Sequence, residues 1–235
     1  MHDAIARAEQ DARALAAAGF DAMLVENFGD APFFADEVPE ITVASMTACV
    51  LAARAAAPGI PVGVNVLRNS SKAALAVAVA AGASFLRVNV LSGARVTDQG
   101  VIAGRAAELL RLRSELGARV EVWADVDVKH SAPLAPRPIE DEVRELEERA
   151  LADAVLVTGA GTGVAVADDD LARVRAAARG PVLVASGATE KTVRALLARS
   201  DGVIVGTAIK RGRRAGGPVD AALAKRFAGA AANRR

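Results

Sequence analysis

The chain has 235 residues, 52% of them hydrophobic and 24% charged, with 29 Lys and Arg against 28 Asp and Glu. That is enough apolar material for a sizeable core. The even charge balance gives no basic field for nucleic acid, and aromatics at 3% leave little to stack on bases. The longest apolar run, residues 73–86, is too short to span a bilayer and is closed by Lys72 and Arg87, so no membrane insertion is expected.

In chain order, Ala-rich helices alternate with short Val-rich strands. A helix over 3–18 stops at Gly19 and leads to a strand over 22–27 and the loop FGDAPF; a helix over 41–57 stops at Pro58-Gly59 and leads to a strand over 62–67. The unit recurs as helix 72–81 and strand 85–90, helix 100–116 and strand 120–126, helix 139–151 and strand 154–158. Helix 169–178 with strand 182–185 and helix 190–198 with strand 202–205 complete it, and a helix over 219–228 closes the chain. Such alternation implies right-handed crossovers and a parallel sheet. No strand is followed by a dinucleotide fingerprint, and polar residues cluster after nearly every strand, so an α/β fold of the (β/α)8 TIM-barrel type, in one domain over 1–235, is favoured over an open sheet. Seven strands are counted and the chain opens on a helix, so the first strand is missing. A gap leaves two strand edges unpaired, and a start upstream of Met1 is expected. The single Cys49, with no partner for a disulfide, and an N-terminus without a secretory pattern point to the cytoplasm.

VEVWADVDVKH (120–130) is the strand with the most chemistry. Alternation puts Glu121, Trp123, Asp125, Asp127 and Lys129 on one face and valines on the other, and a Pro-rich loop follows.

Together with that strand, VENFGDAPF (25–33), NVLRN (65–69), FLRVNV (85–90), TDQG (97–100), ADAVLVTGAGTG (152–163), PVLVASGAT (181–189) and DGVIVGTAIK (201–210) resemble the BtpA/SgcQ family over nearly the whole chain. The resemblance implies a phosphate-binding TIM barrel; some members are tied to photosystem I biogenesis in cyanobacteria and others sit among sugar-uptake genes. Two departures stand out. The family pattern begins with a strand and a His-Leu-Pro-rich loop not found here, and its acidic residue after NVLRN is Ser70 in this chain.

Strand parity brings Glu26, Asn65, Arg87, Asn89, Asp125 and Asp127 to one interior face. An inward Arg87 needs a carboxylate from Glu26, Asp125 or Asp127. Lys129 serves as base or Schiff-base nucleophile if an apolar wall lowers its pKa; beside Asp127 it stays charged and holds a substrate anion, which is the favoured reading. His130 is suited to proton transfer. Glu26, Asp125, Lys129 and His130 are therefore the candidate reacting groups, with Asn27, Asn65, Arg68, Arg87 and Asn89 binding substrate. SGAT, read as opening a helix near Glu190, and GT supply Ser186, Gly187, Gly206 and Thr207 as a phosphate cradle, with Gly159, Gly161 and Gly163 as a third flexible loop. No zinc spacing exists; Mg²⁺ shared by Glu26, Asp125 and Asp127 is the one metal arrangement open to these residues, and no cofactor is specified. The expectation is a protein, open to homo-oligomerisation, that binds a phosphorylated small molecule, a sugar phosphate or nucleotide-like compound, and performs acid–base chemistry on it. The alternative is a non-catalytic biogenesis factor for a membrane protein complex such as photosystem I.

Overall fold

Short runs of β-branched residues flanked by Ala-rich helices resolve into a seven-stranded parallel sheet in a computed structural model describing residues 1–159, 161 and 163–232. Ala160 and Thr162 of the GAGTG stretch and residues 233–235 lie outside the described residues. The strands are β1 (Met23–Glu26), β2 (Val62–Asn65), β3 (Phe85–Val88), β6 (Glu121–Asp127), β8 (Ala154–Val157), β9 (Val182–Val184) and β10 (Gly202–Val203), neighbours in that order. Three further short strands, β4 (Ala94–Thr97), β5 (Gly100–Ala103) and β7 (Ser131–Pro133), form a separate antiparallel sheet ordered β5-β4-β7.

The helices are α1 (His2–Ala18), α2 (Glu40–Ala56), α3 (Ser71–Ala81), α4 (Ala106–Glu115), α5 (Ile139–Glu148), α6 (Asp168–Ala177), α7 (Val193–Leu197) and α8 (Ala221–Ala232). One strand face, including Val64, Leu86, Val122 and Val155, packs with helix residues Val50, Leu75, Leu109 and Leu171 into the main core. Each such fully buried side chain contributes roughly 1.5–3 kcal/mol relative to exposure.

β1 and β10 end the strand order, and their burial reflects it. β2, β3 and β8 are buried throughout, whereas Leu24 to Glu26 and both residues of β10 are partly exposed. The ring of helices closes where the sheet does not. Val219 donates its backbone N–H to Asp11 Oδ1 at 2.8 Å, Arg7 reaches Gly216 O at 2.6 Å, and Phe20 stacks on Phe227 at 6.1 Å, joining α1 to the α8 end of the chain. Closure between first and last helix is the arrangement of a TIM barrel.

Two expectations are corrected. The helix read over 100–116 begins only at Ala106; residues 100–103 are β5, joined to β4 by Asp98-Gln99, with Val96 opposite Val101. The helix read from Glu190 begins at Val193 and is five residues long, because residues 189–192 form a turn closed by Thr192 N–H on Thr189 O.

Candidate functional site

The sheet face turned away from the helices has two layers. In the lower one, Phe85 stacks on Trp123 with ring centroids 3.9 Å apart, and Gly63 lies opposite Phe85 in register. Glycine is required there, since a Cβ at position 63 would come within 2.1 Å of the Phe85 ring.

Two residues further along each strand the apolar layer gives way to charge. Arg87 donates from Nε to Asp125 Oδ1 and from Nη2 to Asp125 Oδ2, each at 3.0 Å, and from Nη1 to Glu26 Oε1 at 3.5 Å. Asn89 donates to Asp125 Oδ2 at 2.7 Å, and Asn65 to Glu26 Oε1 at 3.1 Å. Arg87 and Asp125 are buried, while the Glu26 side chain is 29% exposed. Burial works to lower the Arg87 pKa; Asp125 and then Glu26 override it, and the guanidinium is held firmly charged.

Asp127 does not join this layer. A bulge places Asp125 opposite Leu156 but Asp127 opposite Val157, so Val126 is the extra residue and the alternation resets. Asp127 turns outward and accepts from Arg95, whose other bonds go to Val126 O at 3.1 Å and Glu142 Oε2 at 2.7 Å. The expected Mg²⁺ trio of Glu26, Asp125 and Asp127 is therefore not assembled, and Arg87 occupies the space between the other two. Among the described residues no group of three or more His, Cys, Asp or Glu is placed to hold a metal.

Lys129 follows the bulge at the sheet's C-terminal end. Arg68 fixes its backbone by donating Nη2 to Lys129 O at 2.6 Å, and the side chain makes no ion pair among the described residues because Asp127 is engaged by Arg95. Burial first, and then the Arg87 charge, lower the pKa of the Lys129 ammonium; Glu26 and Asp125 counter only in part. The favoured reading of Lys129 as a permanently charged partner of Asp127 is thus replaced by that of an amine in a desolvating, partly cationic setting.

The remaining candidates divide. Asn27 is spent on structure, accepting from Leu67 N at 2.7 Å and donating to Asp30 at 3.1 Å. Arg68 is buried with Nε lacking an acceptor, and Asn89 Oδ1 lacks a donor, among the described residues. His130 is exposed with φ +56°, a left-handed conformation uncommon outside glycine, and faces the loop after β8: a Cβ on Gly161 would lie 3.6 Å from His130 Cε1.

Ser186-Gly187 and Gly206-Thr207 follow the neighbouring strands β9 and β10. Ser186 Oγ donates to Gly161 O at 3.2 Å, so the β8 loop leans on the β9 loop. Gly187 has φ +69° and sits 2.4 Å, measured from where its Cβ would be, from Ala165 Cα. Gly206 differs: its φ is −128° and nothing lies within 4 Å of a Cβ there.

The BtpA family model matches residues 1–233. The chain belongs to the BtpA family. It is 46% identical over 208 residues, 88% of this chain and 72% of the relative, to the photosystem I biogenesis protein BtpA of Synechocystis. An uncharacterised protein of Thermococcus kodakarensis is 47% identical over 209 residues, covering 88% of this chain and 78% of its own. Among solved structures, thiamine phosphate pyrophosphorylase from Pyrococcus furiosus superposes with TM-score 0.63 at 12% identity, covering 96% of this chain and 90% of that one. N-(5'-phosphoribosyl)anthranilate isomerase from the same organism gives 0.59 at 19%, covering 95% and 93%. These likenesses establish the TIM-barrel fold for this BtpA-family chain.

Sequence reasoning missed three parts of this BtpA-family site. Asn69 clamps the β3 exit, donating to Val90 O at 3.0 Å and accepting from Val90 N at 2.9 Å. Arg95 ties the small sheet to β6 and α5, and Gly63 admits the aromatic stack. Gly63, opposite an aromatic in an otherwise Val-rich strand, carried the one readable signal.

Proposed function

We propose that the chain, folded as a single domain over 1–235, is an enzyme that binds a phosphorylated small molecule, a sugar phosphate or nucleotide-like compound, and performs acid–base chemistry on it at the C-terminal ends of the barrel strands. The observation that carries the reading is the one-sided gathering of polar groups: Glu26, Asn65, Arg87, Asn89, Asp125 and Lys129 all cluster at the same strand ends that carry the Ser186-Gly187 and Gly206-Thr207 loops. In TIM-barrel enzymes this end holds the chemistry, and the loops after the last two strands hold phosphate.

Within that reading the roles are unequal. Asp125, buried and saturated by Arg87 and Asn89, holds Arg87 in place rather than moving protons. Glu26, whose bonds from Asn65 and Arg87 both fall on Oε1, keeps Oε2 for proton transfer, with His130 at the rim as a second group suited to it. Two of the superposable structures are named for phosphate-bearing compounds, which accords with the proposal. A thermal-shift screen of phosphorylated metabolites tests it, since a ligand bound only by the native state raises stability as its concentration passes Kd.

The second reading, an assembly factor for a membrane protein complex, draws on the name of the Synechocystis relative and on exposed apolar residues of the small sheet and its exit, Val96, Val101 and Leu134. No helix among the described residues is long and apolar enough to cross a membrane. An assembly factor tolerates loss of Glu26 and Lys129 and depends on Val96 and Val101; an enzyme shows the reverse.

A further inference from the structure

Among the described residues, the interior of the strand ends brings together Arg87, Arg68 and Lys129 with the carboxylates of Glu26 and Asp125. Arg87 takes both, bonding Asp125 through two nitrogens and Glu26 through the third. Arg68 is buried, donates to Lys129 O, and keeps Nε without an acceptor among the described residues. Lys129 therefore stands half-buried, its backbone fixed, with no carboxylate paired to its amine among the described residues.

We infer that Lys129 is a nucleophilic amine that forms a Schiff base with an aldehyde or ketone group of the ligand, a deepening that rests on the phosphorylated-metabolite reading above. Nζ, once neutral, adds to the carbonyl carbon, forming a C–N bond as the C=O π pair moves to oxygen. That oxygen takes a proton and the nitrogen gives one up, yielding a carbinolamine; protonation of its hydroxyl releases water as the nitrogen lone pair forms the iminium. The step is a condensation and needs no oxidant or reductant. Glu26, whose Oε1 takes the bonds from Asn65 and Arg87, has Oε2 as the carboxylate oxygen that relays the proton.

The charges acting on Lys129 are Arg87 from β3, Arg68 from the loop after β2, Glu26 from β1 and Asp125 from its own strand, with His130 next in sequence. Burial and Arg87 come first, so the neutral amine is reached at lower pH than for a solvated lysine. Together with the proposed phosphate-binding loops, an amine of this kind makes the substrate class a phosphorylated aldehyde or ketone.

The experiment incubates the full chain with dihydroxyacetone phosphate, or with pyruvate as a phosphate-free carbonyl, in the presence of cyanoborohydride, and maps adducts by peptide mass spectrometry. The chain has four other lysines, Lys72, Lys191, Lys210 and Lys225, as internal controls. The expected result is an adduct concentrated on Lys129, appearing at lower pH than on the other four and lost in Lys129→Arg. Adducts spread evenly over all five lysines overturn the inference. Stabilisation by inorganic phosphate without any Lys129 adduct also overturns it while leaving the phosphate-binding reading intact; failure of both measurements removes the two together.

Discussion

Arg87 and Asp125, on neighbouring strands, meet through two parallel N–H···O bonds of 3.0 Å inside the barrel, where the Asp125 side chain has no solvent exposure. A fork-on-fork pair of this kind is geometrically specific, and breaking one side of it leaves a charge stranded.

Asp125→Asn is accordingly expected to cost about 3–5 kcal/mol in equilibrium unfolding, because it leaves Arg87 with Glu26 as its only carboxylate. The double variant Asp125→Asn/Arg87→Met should recover most of that loss, as a structural pair does when both charges go. Equal destabilisation in single and double variants would show that Asp125 serves something other than Arg87.

Gly63→Ala tests the layer beneath. The added methyl meets the Phe85 ring, which is itself stacked on the chain's single Trp, so overpacking should cost about 1–3 kcal/mol and shift Trp123 fluorescence. An unchanged emission spectrum and melting temperature would contradict the packing described.

Lys129 makes stability depend on pH with a definite sign. Burial holds its folded pKa below that of a solvated lysine, so below the folded pKa both states carry the proton and the buried charge disfavours the fold in full; stability then rises with pH between the folded and unfolded values. Lys129→Met should be more stable than wild type near neutral pH, with the difference shrinking toward about pH 10. Urea unfolding at the two pH values checks this, and a variant weaker than wild type at neutral pH would count against it.

Arg95→Met should loosen the small sheet without unfolding the barrel, since Arg95 joins β4 to Asp127, Val126 O and Glu142. Hydrogen exchange over residues 94–103 is expected to accelerate, with a global cost of about 1.5–3 kcal/mol for the lost charged hydrogen bonds. Faster exchange spread over the whole sheet would contradict a local role.

The barrel strands were legible because Val-rich alternation and the Gly stops after helices act locally. β5 was not, because ARVT and GVIA around Asp98-Gln99 carry a hairpin pattern that the helical spacing running back from Leu116 masked. Inward parity correctly grouped Glu26, Asn65, Arg87 and Asp125. It failed at Asp127, since a one-residue bulge leaves no mark in composition yet turns the residue that follows it to the other face. The partner of Lys129 was misjudged for the same reason: Asp127 was taken from it by Arg95, a residue 32 positions away in the chain.

The central claim, that the strand-end loops bind a phosphorylated ligand, is tested most directly at Gly206. Gly187 is a poor probe because any side chain there strains a positive φ and strikes Ala165, whereas Gly206 opens onto free space at φ −128°. Gly206→Asp should therefore meet no steric clash while placing a carboxylate at the proposed phosphate site. Titration with inorganic phosphate should raise the melting temperature of wild type and leave Gly206→Asp unmoved; equal stabilisation of the two proteins would contradict the account.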